Sequence, residues 1–180
     1  MQAYLFVIDY QNDFVDGALG FPGAEKLDEK IAQKIREYGP GRVIYTRDTH
    51  DAGYLQSREG RHLPVAHCLK GSHGWQIYGE TAKALAEVQA KAIDKRVFGL
   101  DVTDPDTAAA LPEQADQIEL VGLVSNICVV SNAAVLQSRY PEAQLLVDAR
   151  CTDSFDKSLN EKVLDVLEGL QVTVLGREKT

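Results

Sequence analysis

The run Ile118-Glu119-Leu120-Val121-Gly122-Leu123-Val124-Ser125-Asn126-Ile127-Cys128-Val129-Val130 decides the fold. Ile118 to Leu123 is short and apolar enough for a buried strand, and from Asn126 to Ser138 apolar residues recur at the three- and four-residue spacing of a helix. A strand therefore passes into a helix here, with Cys128 two residues after the N-cap position at Asn126. A helix dipole at that point favours a thiolate.

Outward from this junction the same alternation repeats. Strand candidates are Ala3 to Ile8, Val43 to Tyr45, Leu145 to Val147 and Val172 to Leu175, with a weaker one at Ala92 to Asp94. Helical spacing covers Ala24 to Tyr38, Thr81 to Gln89 and Lys157 to Leu167. Strand–helix alternation predicts a three-layer α/β/α fold around a mostly parallel six-stranded sheet. In such a sheet ligands collect beyond the carboxyl ends of the strands. Asp9, Asp48, Lys95 and the loop before Cys128 each follow one expected strand. Pro64, Pro105 and Pro112 mark loops, and Pro141 closes the helix after Cys128.

The chain has 180 residues, which suits one domain over 1–180. A formal charge of -8 disfavours broad association with nucleic acid or an anionic membrane and favours a small-molecule partner. Met1 to Ile8 is apolar but short and unflanked by basic residues, so neither a secretory signal nor a membrane span is expected and the cytoplasm is the expected location. Three cysteines at wide spacing argue against a disulfide framework or a paired CxxC zinc site.

Asp9, Lys95 and Cys128 lie far apart in sequence but at one predicted sheet edge. A thiolate is a nucleophile, an ammonium helps it form, and a carboxylate can take and return the proton during amide cleavage. Singly each has an ordinary explanation, as a turn Asp, a solvated Lys and a packed Cys. The second constellation is Asp48 and His50, with His67 and the intervening Glu59. Carboxylate and imidazole donors suit Zn²⁺, Mn²⁺ or Fe²⁺, and an extended Asp-x-His turns both side chains the same way. The segment from Arg47 to Gly79, with little regular pattern, holds all four histidines, the only tryptophan and Cys68, and long irregular segments are usually functional. Packing is the expected role of Cys68 and Cys151.

Over essentially its whole length the chain resembles the nicotinamidase/isochorismatase-like cysteine hydrolases. The resemblance is carried by Asp9-Tyr10-Gln11-Asn12-Asp13-Phe14, Thr46-Arg47-Asp48-Thr49-His50, Leu63-Pro64-Val65-Ala66-His67-Cys68-Leu69-Lys70-Gly71, Asp94-Lys95 and Gly122 to Val129, in that order. It implies a strand order of 3-2-1-4-5-6 and a homo-oligomer. It casts Asp9 as the proton-transferring carboxylate, Lys95 as the stabilising charge and Cys128 as the acyl-forming nucleophile. It further implies a cis peptide at Leu123-Val124, with the Val124 and Cys128 backbone N–H groups as an oxyanion hole.

By the same resemblance Asp48, His50 and His67 bind a divalent metal, zinc first, with Glu59 as a fourth ligand as in some relatives. Phe14, Leu19 and Trp75 are expected around the substrate. Two departures, Thr49 where nicotinamidases often carry Trp and Leu63 where they often carry an aromatic residue, weigh against nicotinamide itself. The leading expectation is hydrolysis of a small carboxamide, nicotinamide first. The alternatives are another small amide or carbamoyl compound, isochorismatase-type vinyl-ether hydrolysis, and a non-catalytic metal-binding relative.

Overall fold

The computed structural model describes residues 1–177. Six strands, β1 (Ala3–Ile8), β2 (Val43–Asp48), β3 (Lys91–Lys95), β4 (Gln117–Leu123), β5 (Gln144–Asp153) and β6 (Thr173–Leu175), form one sheet in the order β3-β2-β1-β4-β5-β6. All five pairings are parallel, so the expected architecture and order both hold. Helices α1 (Asn12–Val15), α2 (Asp28–Tyr38), α3 (Arg58–His62), α4 (Gly79–Glu87), α5 (Pro105–Ala110), α6 (Val130–Arg139) and α7 (Lys157–Gly169) connect them. Among the described residues no helix is long and apolar enough to cross a membrane.

The two-residue period of a strand explains the layers. Leu5, Val7, Val121 and Leu123 face one side and pack with Ile31 and Ile35 of α2 and with Ala84 and Leu85 of α4. Phe6, Ile8, Ile118 and Leu120 face the other side and pack with Ala133 and Leu136 of α6 and Leu164 and Leu167 of α7. Both faces of the central strands are covered, which is why β1 and β4 read as continuous apolar runs rather than alternating ones.

The differences from expectation have local causes. β2 continues through polar Thr46, Arg47 and Asp48, held by the ladder to Ile93, Asp94 and Lys95 of β3. β5 runs six residues beyond Val147 because a register shift between Leu120 and Gly122 lets Thr152 and Asp153 pair again. Pro105 starts a helix instead of marking a loop: it occupies the first turn, and the Asp104 carboxylate accepts the Thr107 N–H at 2.8 Å. The irregular segment after β2 contains α3, capped by the Ser57 hydroxyl, which accepts the Gly60 N–H at 2.9 Å.

The helix expected from Asn126 opens with a widened π turn over Ser125–Val129, in which the Val129 N–H reaches the Val124 carbonyl at 3.1 Å. Such turns are frequent at functional sites.

Candidate active site

The topology reverses between β1 and β4, and the crevice beyond their carboxyl ends gathers the residues of interest. Asp9 follows β1, Asp48 and Lys95 end β2 and β3, and Cys128 follows β4. The close approach of β4 to β1 depends on Gly122, whose φ is +110° and where a Cβ would stand 2.0 Å from the Ile8 carbonyl oxygen. The peptide between Leu123 and Val124 is cis.

Asp9 is fully buried and adopts a left-handed backbone, φ 42°, a conformation that Asp tolerates better than most side chains. The Thr46 hydroxyl accepts the Asp9 N–H at 3.2 Å and donates to Asp9 Oδ1 at 2.6 Å. Lys95 Nζ lies 2.5 Å from Asp9 Oδ2, 3.8 Å from Cys128 Sγ and 3.9 Å from Asp48 Oδ1, and donates to the Val97 carbonyl at 3.1 Å. One buried ammonium thus touches both carboxylates and the thiol.

Burial pushes the Asp9 carboxyl upward more than the neighbouring Lys95 charge lowers it. Burial also raises the Cys128 thiol well above its ordinary range; Lys95 opposes this, while the Asp9 and Asp48 charges add to it. Burial thus works against the thiolate that a place near a helix start would favour, and Lys95 works for it. Lys95 is held charged, since the facing Asp9, Cys128 and Asp48 outweigh its desolvation.

Beside this group, Asp48, His50, Glu59 and His67 bring one donor atom each to within 4.8 Å of one another. Asp48 Oδ2 is 3.0 Å from His50 Nε2 and 3.4 Å from His67 Nε2, and Glu59 Oε1 is 3.6 Å and 3.9 Å from the same two nitrogens. His67 Nδ1 lies 2.8 Å from the Val65 carbonyl, an arrangement that places a proton on Nδ1 and turns Nε2 toward Asp48 and Glu59. Burial raises the Asp48 carboxyl, but the hydrogen bonds to His50 and His67 and the Lys95 charge together hold it far below the usual carboxylate range. Two imidazoles and two carboxylates converging in this way fit a divalent ion of the zinc, manganese or iron kind.

The opening segment holds the site together. Gln11 clamps Asp48, donating from Nε2 to its carbonyl at 2.9 Å and accepting its N–H at 2.7 Å. Asp13 Oδ2 accepts the Cys68 N–H at 2.7 Å and so fixes the residue after His67. Sequence reasoning assigned neither residue a role, although both stand in the quoted run Asp9-Tyr10-Gln11-Asn12-Asp13-Phe14. Cys68 and Cys151 are packed in the core cluster on the α2 face.

A cavity of about 530 Å³ opens onto Cys128, Asp48, Glu59 and His67. Phe14, Leu19 and Val124 line it. Trp75 does not: its indole N–H donates to the Thr49 hydroxyl at 2.9 Å and its ring lies beneath the Arg47 guanidinium at 3.9 Å, which draws it outside the cavity. Phe98, after β3, and Phe155, after β5, line it instead, together with Leu63.

The sequence matches the family model described as the isochorismatase domain over residues 3–179. No curated protein sequence matches the chain. Among solved structures, the chain is similar to a nicotinamidase/pyrazinamidase from Bacillus subtilis, with 24% identity and a TM-score of 0.83 over 97% of this chain and 100% of that one. The yeast nicotinamidase gives 20% identity and a TM-score of 0.79, over 97% and 100%. A pyrazinamidase of Pyrococcus horikoshii in complex with zinc gives 18% and 0.77, over 97% and 99%. At these identities the structural likeness speaks for the fold.

Proposed function

The chain belongs to the isochorismatase domain family, and on that premise we propose that it is a single-domain cysteine amidohydrolase acting on a small carboxamide, with nicotinamide the first candidate. The observation that carries this reading is the placement of Lys95 Nζ 2.5 Å from Asp9 and 3.8 Å from the Cys128 thiol, at a cavity that also holds a four-donor metal cluster. The activities named for the structural neighbours support the choice of amide.

In the proposed reaction Cys128 yields its proton to Asp9 as sulfur attacks the carboxamide carbon. The raised Asp9 carboxyl suits it to holding that proton. The Val124 and Cys128 backbone N–H groups receive the developing oxyanion, and Lys95 balances the charge passing between sulfur and carboxylate. Asp9 then protonates the departing ammonia, leaving a thioester on Cys128. Water, deprotonated by Asp9, attacks that thioester and releases the acid and the free thiol.

Asp48, His50, His67 and Glu59 would hold the metal, zinc in the first instance. Bound there, a divalent ion supplies a Lewis-acidic point that orients a heteroaromatic nitrogen.

A thioester intermediate is diverted by hydroxylamine. With nicotinamide and hydroxylamine the protein is expected to form the hydroxamate, and Cys128→Ala to form none. Ammonia release that continues in Cys128→Ala would refute covalent catalysis by this residue.

A further inference from the structure

The cavity is larger and its mouth more apolar than a pyridine carboxamide requires. Cavities of about 300–1,000 Å³ enclose ligands of drug size, and this one measures about 530 Å³. One pyridine ring with its amide at Cys128 would leave most of that space to water.

The rim points to what fills it. Phe155 is 58% exposed, Phe98 42% and Leu63 38%, and all three line this cavity. They come from three separate segments, after β5, after β3 and after α3. Exposed apolar side chains scattered singly are ordinary, but convergence of several on one concavity marks a binding surface. The two phenylalanines are the only exposed ones among the described residues, and both stand here. Deeper in, Phe14, Leu19 and Ile127 continue the apolar lining down to the buried thiol.

We infer that the preferred substrate is a carboxamide whose acyl part extends beyond one ring as an apolar, preferably aromatic, group that packs against Phe98, Phe155 and Leu63. The inference rests on the amidase reading for where the carboxamide lies, but its apolar half is a statement about the cavity alone. A flat macromolecular partner would cover the three rim residues without filling the depth beneath them. A ligand with an aromatic extension does both.

Metal-loaded Cys128→Ala protein binds without turnover and isolates the point. Its affinities for nicotinamide and for nicotinamides carrying a phenyl group meta or para to the carboxamide are compared by titration calorimetry. Burying most of a phenyl ring corresponds to roughly tenfold to hundredfold in affinity, so at least one phenyl compound is expected to bind about tenfold tighter or better. Adding Phe98→Ser and Phe155→Ser to that protein is expected to erase most of the gain.

Equal or weaker binding of both phenyl compounds overturns the inference. So does a double variant that shifts the sedimentation mass from oligomer to monomer with no phenyl gain in the parent, which would make the rim a subunit contact. Ammonia release by the wild-type protein is scored separately. Tight phenyl-amide binding without turnover overturns the amidase reading and leaves the apolar preference standing, whereas turnover of nicotinamide without a phenyl gain overturns the inference alone.

Discussion

Replacing Lys95 by Met keeps the length and apolar stem of the side chain but removes the charge that faces Asp9 at 2.5 Å. Asp9 is fully buried, and breaking a buried ion pair by deleting one partner costs about 3–5 kcal/mol. Asp9 has an escape, because it can take up a proton. At about pH 7, protonating a carboxyl whose unfolded pKa is about 3.9 costs about 4 kcal/mol, and that ceiling falls by about 1.4 kcal/mol per pH unit on acidification. The sign follows from linkage: in the variant the folded pKa of Asp9 lies further above its unfolded value, so its contribution is intact below the unfolded pKa and is lost as pH rises through the folded one.

Lys95→Met should therefore lose about 3–4 kcal/mol near pH 7 and only about 1.5 kcal/mol near pH 5. For a chain of this size the larger loss corresponds to roughly 6–16 °C in Tm. Urea unfolding of wild type, Lys95→Met, Asp9→Asn and the double variant at both pH values measures it. A deficit independent of pH, or no recovery when Asp9→Asn is added to Lys95→Met, would refute the reasoning.

Further predictions concern the supports of the site and of the sheet. Asp148 is buried between Lys34, at 2.9 Å, and Arg150, at 2.7 Å; burial raises its carboxyl, but the two cations outweigh this and hold it at about 2. Its folded pKa lies below the unfolded value, so about 2 kcal/mol of stability is present above about pH 4 and lost as pH falls toward about 2; acid titration of Asp148→Asn should lack that component, and an unchanged acid profile would contradict the assignment. Gln11→Ala frees the backbone of Asp48 without removing any side chain of the four-donor cluster. It should weaken zinc binding by about tenfold to a hundredfold, read by competition with a chromogenic chelator; wild-type affinity would show that the clamp is idle.

The sheet was legible where burial is two-sided. β1 is bounded as its apolar run suggests, and the weak Ala92 to Asp94 signal marks β3, an edge strand with an exposed side. The polar ends of β2 and β5 were not legible, because Thr46 to Asp48 and the pair Thr152 and Asp153 are strand by virtue of partners on other segments. α5 was readable in principle from Asp104 and Pro105, a cap followed by a helix-starting proline. At the site, placing Asp9, Asp48, Lys95 and Cys128 each at the carboxyl end of a strand anticipated their convergence. Glu59, loosely spaced in sequence, joins the cluster of Asp48, His50 and His67 because α3 carries it back toward the two imidazoles. Trp75 was misplaced and Phe98 and Phe155 overlooked for one reason: which loops meet above a sheet is a tertiary fact, without local periodicity to announce it.

In the proposed reaction Cys128 cleaves an amide. Ammonia release from nicotinamide and its phenyl derivatives by zinc-loaded protein, with Cys128→Ala prepared in parallel, tests it most directly. Release from at least one of these amides and its loss in the variant are expected; release that survives in Cys128→Ala, or silence of the loaded wild-type protein across the panel, would contradict catalysis by Cys128.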